Sequence, residues 1–522
     1  MPELMNDAEK AVPVGAPMTP EAIVSQPPNT LSKTETRASE MFDSIPMWRK
    51  YVIVFATSWT TLAACFSSTS LLSASTEIAV DLHTTPEVVS LSTAGMLFAI
   101  GLSSFVWSPI AAIVGRKLAY NACVAVLFSL TIGAAVAPNM PVFVTMRVLS
   151  GLQGCYFHVA GQTIIAEYFP PVQRGTANGF FLAGTVLGPP LGPLVAGIMM
   201  TYSTWRSVLW LQVAMIGLAF MLALFFVPAS RTDAPALTLN LRGRTALAQF
   251  NPLPVFKQMT YPNIIMTVRN MQWRSKTSKE ADRLHQHLSC GFLSWSQYSI
   301  LSAPRHILVT RFGLTSPLSS GLFYLAPATG FLLGTIVGGR YSDMTVRRYI
   351  KIRGERLPQD RLNAGMLSFF LVIPTASLVY GWGLQYGPTS RAALALPIVT
   401  SFFTAAGLLA AFASLNTYCA EAFPKRRREV IAGKYLVQYT FSACSSAGVV
   451  PLMEAIGIGS TATISTVLVL AAGGLTFVTA RYASSMVERV DAKDARPRAA
   501  WSWPKMISTE AVFPIATIGP RR

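Results

Sequence analysis

Charge is what this sequence has least of. Asp, Glu, Lys and Arg make up 13% of its 522 residues, where soluble domains carry roughly 25%, and mean hydropathy is +0.43. That balance points away from an ordinary water-soluble globule. Acidic residues are the scarcer sign, 24 against 42 basic ones, and none falls in the middle of a long apolar run. Glu77, Asp81 and Glu454 sit near the ends of such runs. Cysteine is sparse too. The six cysteines (65, 123, 155, 290, 419, 444) are dispersed, all but Cys290 in apolar stretches, which excludes a disulfide framework and a metal cluster. Residues 1–47 hold no apolar segment of signal-peptide type, so the first apolar run is expected to act as the targeting signal. No Gly-rich phosphate loop, metal-ligand spacing or nucleophile elbow is present, so neither an enzyme nor a cofactor is expected.

Apolar stretches of bilayer-crossing length fill the space instead. A helix needs about 20 mostly apolar residues to cross the hydrocarbon core. Twelve candidates lie near 51–73, 88–107, 118–137, 142–165, 175–199, 205–227, 288–308, 317–338, 363–383, 393–419, 435–456 and 461–480. The fold class expected is an all-α membrane protein of twelve transmembrane helices in two pseudo-symmetric six-helix bundles. Its parts would be a disordered tail (1–47), a first bundle (48–228), a central loop (229–287), a second bundle (288–482) and a C-terminal tail (483–522). Of the 42 Lys and Arg, 37 fall in the tails, in the central loop and after even-numbered spans; Arg147, Arg206, Arg305, Arg311 and Arg391 do not. This is the positive-inside pattern with both tails cytoplasmic. The net charge of +18 is therefore topological, and nucleic acid is not an expected partner.

The chain repeats itself. AEYFPPVQRGTANG (166–179) and AEAFPKRRREVIAG (420–433) match at six of fourteen positions, 254 residues apart. SPIAAIVGRK (108–117) and GRYSDMTVRR (339–348) form a second pair at an offset of 231. The repeat implies a duplication of two six-span halves. In each copy of the first pair a Glu at a helix end precedes an Arg by seven residues, Glu167 with Arg174 and Glu421 with Arg428, a spacing that allows a charge-assisted latch between helix ends. Anchoring and orientation by charge is the simpler alternative.

Within the spans, GTVLGPPLGPLVAG carries Gly184, Gly188, Gly192 and Gly197 with Pro189, Pro190 and Pro193. Small residues at i, i+4 let another helix approach, and proline removes backbone donors and bends a helix, which suits a moving interface. Arg147, inside the fourth span, either holds a fixed positive charge for proton transfer or an anionic substrate, or snorkels outward. His158 could relay a proton or be a hydrogen-bonded core residue. Candidates for a cavity lining are Gln153, Gln162, Trp295, Gln297, Tyr298, Asn416, Tyr418, Tyr435 and Gln438, a mixture suited to an uncharged or weakly anionic organic molecule.

These motifs resemble the major facilitator superfamily, and within it the fungal twelve-span drug:proton antiporters, over about residues 48–482. GTVLGPPLGP resembles the antiporter motif, RVLSGLQG (147–154) the fourth-span motif, and SPIAAIVGRK and GRYSDMTVRR the two loop motifs; STWRSVLWLQ and SGLFYLAP are also similar to fungal members. The resemblance implies alternating access by two rocking six-helix halves. It also implies export of a small organic molecule (drug, toxin, secondary metabolite or organic acid) against protons. A nutrient importer and a non-transporting receptor are the alternatives, and facilitated diffusion stays open. The chain departs from the pattern where it reads Ala112 and Ile113, keeping Gly115, Arg116 and Lys117; the second copy keeps Asp343 with Arg347 and Arg348. Sugar-porter signatures are absent. A monomer in the lipid bilayer is expected, at the plasma membrane, with an internal membrane such as the vacuole left open. One segment fits poorly: 269–290 is too polar for the bilayer and splits the seventh span between IIMTV (264–268) and GFLSWSQYSILSA (291–303). It is either a translated retained intron or a true cytoplasmic insertion, and the spliced transcript decides between them.

Overall fold

A computed structural model describes residues 46–169, 171–228, 277–354, 357–422 and 427–494; the readings made for the N-terminal tail, for IIMTV and for most of the central loop lie outside these. Every regular element among the described residues is helical. In the first half of the chain these are α1 (Met47–Thr69), α2 (Ser75–Asp81), α3 (Pro86–Val114), α4 (Arg116–Ala135), α5 (Met140–Gly151), α6 (Gly154–Tyr168), α7 (Pro171–Tyr202) and α8 (Trp205–Phe226). In the second half they are α9 (Thr277–Ser302), α10 (Pro304–Phe312), α11 (Pro317–Phe323), α12 (Leu325–Arg353), α13 (Asp360–Leu367), α14 (Ile373–Tyr386), α15 (Ala395–Ala422), α16 (Arg427–Ile456) and α17 (Ile458–Asp494).

Nine stretches among the described residues are long and apolar enough to cross a membrane, from Met47–Ser73 to Ile458–Arg481. Large apolar side chains such as Phe225, Val337, Phe403 and Val467 stay exposed on them. Such an exterior suits lipid, where helices satisfy their backbone internally. The sequence candidates at 142–165, 288–308 and 435–456 are not among the nine, for a physical reason. The first is broken by a turn at Leu152 and Gln153 into α5 and α6, and the second by Ala303 and Pro304 into α9 and α10. The third, α16, is unbroken but carries Lys434, Gln438 and Glu454.

At each break the freed backbone finds a partner. The Tyr156 N–H, in the first turn of α6, donates to Ser103 Oγ at 3.1 Å, and the Tyr324 hydroxyl donates to the Leu301 carbonyl at 2.7 Å. Glycines set the close packing. A Cβ at Gly184, Gly188 or Gly192 of α7 would lie 2.6, 2.4 or 2.8 Å from Ser58, Cys65 or Ser70, along α1 and the turn after it. One at Gly197 would lie 2.5 Å from the Gly321 Cα of α11. This helix runs unbroken through Pro189, Pro190 and Pro193. A second stripe, Gly330, Gly334 and Gly338 of α12, meets α15 as closely.

The polar start of α9 continues into the core: Gln286, Ser289 and Cys290 are fully buried, and Ser289 Oγ donates to the Ala472 carbonyl at 3.1 Å. Both amide atoms of Gln286 lack hydrogen-bond partners, a cost of about 1–3 kcal/mol each. That strain falls inside the segment whose polarity splits the span.

Candidate functional site

Three sites of buried or paired charge organise the molecule. The first lies at the end bearing the loop repeats. Gly115 joins α3 to α4 at φ 91°, where a side chain would be strained, and delivers Arg116 to the start of α4. Arg116 Nη1 lies 2.5 Å from Glu167 Oε2 at the end of α6. Lys117 beside it is half-buried. In the second half of the chain, Arg361 at the start of α13 holds two carboxylates, Asp343 of α12 at 2.9 Å and Glu421 of α15 at 3.0 Å. Arg347 and Arg348 are exposed on α12. Glu167 and Glu421, the acids of the repeat, are thus both engaged by arginines from outside it. The side chains of Arg174 and Arg428, expected to latch them, lie outside the described ones. Buried Asp360 pairs with Arg353 nearby.

The second site lies at the opposite end. Arg305 of α10 donates to Glu77 of α2 at 2.7 Å and to Ser320 at 3.1 Å, so this bridge joins the two halves of the chain. A cavity of about 200 Å³ opens beside it, lined among others by Glu87, Ser302, His306 and Glu454, with His306 Nε2 3.7 Å from Glu454 Oε1. Asp81, just past the first membrane stretch, receives hydrogen bonds from Arg206 and Trp205. The Arg206 bond holds its carboxyl below the usual carboxylate range.

The third site is a polar centre. His158 of α6 is 1% exposed. Its Nδ1 lies 3.2 Å from the Gly154 carbonyl, which can only accept, so Nδ1 carries the proton and Nε2 faces the Cys65 thiol at 3.6 Å. Its ring centroid is 5.1 Å from Tyr435 and 6.5 Å from Tyr439, both on α16. Tyr298 of α9 belongs to the same buried cluster. One residue before Tyr435 is Lys434, 3% exposed, its Nζ 2.7 Å from Asn416 Oδ1 and 3.7 Å from the Tyr435 ring centroid.

The structure therefore brings His158, Tyr298, Tyr435 and, through Lys434, Asn416 together. It disperses the other candidates. Arg147 is 3% exposed, so it does not snorkel; it lies 5.6 Å from the Phe143 ring centroid, with Nε and Nη2 unpartnered. Gln153 is buried in the turn between α5 and α6 with Oε1 unpartnered, and Gln162 and Gln297 are half-buried or nearly buried. Trp295 donates to Ser465 Oγ at 3.2 Å, and Tyr418 packs in the second half's own core. Gln438 Oε1, one turn beyond Lys434, has no partner.

Sequence reasoning missed Lys434, which fell one residue outside its assigned span, and it missed Tyr439, Arg361 and the Arg305–Glu77 bridge. It also missed Gln212 of α8, which bonds Ser67 and Ser70 at 2.9 and 2.6 Å. A lysine seven residues inside a helix that starts at Arg427 was the signal available for the first of these.

An apolar exterior around buried polar and charged groups, with charged ties at both ends, suits a membrane-embedded protein. Residues 57–448 match the Major Facilitator Superfamily, so the chain belongs to that family of transporters. It is similar to the MFS antiporter QDR3 of Candida albicans, 23% identical over an alignment covering 78% of this chain and 74% of that one. It is also similar to the MFS transporter OpS2 of Beauveria bassiana, 27% identical over 60% of this chain and 91% of that one. The efflux pump radE of Floropilus chiversii is 22% identical over 72% of this chain and 69% of its own.

Proposed function

We propose that the chain is a secondary active transporter that exports a small organic molecule by alternating access, as a proton antiporter. Twelve membrane crossings in two six-helix halves would place its tails in the cytoplasm and the chain, as a monomer, in the plasma membrane. The observation that carries this reading is the seam of the polar centre: His158 and Cys65 from the first half of the chain meet Tyr435 and Tyr439 from the second. A site shared across a seam is exposed to one side and then the other when the halves rock. The glycine stripe of α7 gives that motion a close, side-chain-free surface. His158 is the candidate proton carrier, and the names of the relatives, an antiporter and an efflux pump, agree with export.

Mass spectrometry of cells and medium, comparing the source organism with a strain lacking the protein, tests the proposal. A compound that builds up inside the deletion strain, fades from its medium and is retained by wild-type cells treated with a protonophore supports it. A compound depleted inside and left in the medium makes the protein an importer.

A further inference from the structure

The polar centre carries a charge that no carboxylate among the described residues balances. Lys434 is 3% exposed on a helix that otherwise reads as a membrane crossing, where an ionised side chain costs about 2.5–3.5 kcal/mol on insertion scales. Its hydrogen-bond partner is the neutral oxygen of Asn416, at 2.7 Å, and its other contact is the Tyr435 ring. Among the described residues no carboxylate pairs with it. The second buried cation between the two ends, Arg147, likewise lacks a counter-ion. Arg116, Arg305 and Arg361 at the molecule's ends each have a carboxylate, as half-buried Arg206 does, while half-buried Arg311 donates to the Gly387 carbonyl. Among the described residues, the two buried cations between the ends thus have no carboxylate beside them.

The surroundings of Lys434 describe what would neutralise it. Gln438 lies one turn further along α16, on the same face, and its Oε1 is buried without a donor. Tyr435 and Tyr439 of the same helix, with His158 across the seam, supply aromatic walls. We propose that Lys434 and Asn416 bind the anionic group of a small aromatic organic anion, a carboxylate, sulfonate or phenolate, whose ring packs against the cluster of Tyr435, Tyr439 and His158. Gln438 accepts a hydroxyl or amide proton where the anion has one. This names the substrate class of the transporter proposed above and rests on that reading. A cation would be repelled by Lys434, and a neutral molecule would leave it uncompensated.

The test uses the full chain in proteoliposomes and three fluorescent probes of one ring size that do not cross bilayers unaided: naphthalene-2-sulfonate, 2-naphthyl β-D-glucoside and (2-naphthylmethyl)trimethylammonium. The expected result is protein-dependent flux of the sulfonate alone. Lys434→Gln should lower it about tenfold or more, the loss of a charged hydrogen bond, while Lys434→Arg retains most of it. Thermal unfolding and gel filtration of each variant separate loss of function from loss of fold, and Asn416→Ala, which keeps the charge, should fall between the other two. Flux of the glucoside or the ammonium probe equal to that of the sulfonate overturns the anion assignment, as does a folded Lys434→Gln with undiminished sulfonate flux. No flux of any probe also overturns it. If the deletion strain still retains a compound in that case, the exporter reading stands; if it does not, both fall.

Discussion

The two ends of the molecule are tied in different ways. At the end of the loop repeats, Arg116–Glu167 joins α4 to α6 inside the first half of the chain, and Arg361 joins α12, α13 and α15 inside the second. At the other end, Arg305–Glu77 runs from one half to the other. Ties of the first kind survive if the halves move as rigid bodies. The second kind cannot, so among the described residues one ion pair would have to break for that end to open, and the others would travel with their own half.

The two internal ties differ as well. Asp343 makes the second a three-member cluster; its counterpart by the repeat offset of 231 is residue 112, an alanine. The largest effect is therefore expected from Arg361→Ala, which removes the arginine shared by half-buried Glu421 and exposed Asp343 and should cost about 3 kcal/mol of stability. Arg116→Ala removes the arginine from one carboxylate and should cost about 2 kcal/mol. Thermal unfolding of both variants in detergent checks the order, and equal losses would erase the distinction between the halves. Next comes Glu77→Gln, which weakens the bridge between halves without touching either internal tie. It should shift the population toward an opened Arg305–Glu77 end about tenfold with little change in unfolding temperature. Labelling of a cysteine introduced at Ser302, in the cavity wall, reads that shift, and unchanged labelling would count against a gating role. Ala112→Asp sharpens the contrast by restoring the third member, with an expected gain of about 0.5–1 kcal/mol in the first half. No gain would mean the repeat does not align these positions in space.

The smallest effect concerns Asp81. Arg206 holds its carboxyl below the usual range, so the pair stabilises the fold above the unfolded value of about pH 4 and is lost as pH falls through the lowered one. Both partners are exposed, so the contribution is small. Arg206→Gln should slightly lower the unfolding temperature at neutral pH and leave it unchanged near pH 2, where Asp81 is protonated in both proteins.

Much of the fold was legible because hydropathy is a one-dimensional signal: nine of the apolar runs correspond to stretches of crossing length. The remaining three are harder to read since they hold the polar residues that function would need. The repeat picked out Glu167 and Glu421 with Arg174 and Arg428 as their expected partners, whereas the arginines that hold them here, Arg116 and Arg361, come from other loops and are brought in by packing. Lys434 was hidden for a simpler reason. The run of apolar residues begins after it, so a boundary drawn by hydropathy places it in the loop, whereas the helix begins at Arg427 and carries it inside. Likewise the stripe Gly330, Gly334, Gly338 has the same four-residue spacing as the α7 motif, and only the neighbouring α15 backbone shows its purpose.

In the proposed transporter the halves rock about the seam, closing one end as the other opens. The direct measurement is a pair of spin-label distances on the reconstituted full chain with Cys444→Ser, one across the Arg305–Glu77 end (Tyr202→Cys with Tyr386→Cys) and one across the repeat end (Leu118→Cys with Ile352→Cys), all at exposed positions. Two distances are expected in each pair, with Glu77→Gln lengthening the first and shortening the other. A single distance at both ends, unmoved by the substitution, would contradict the account.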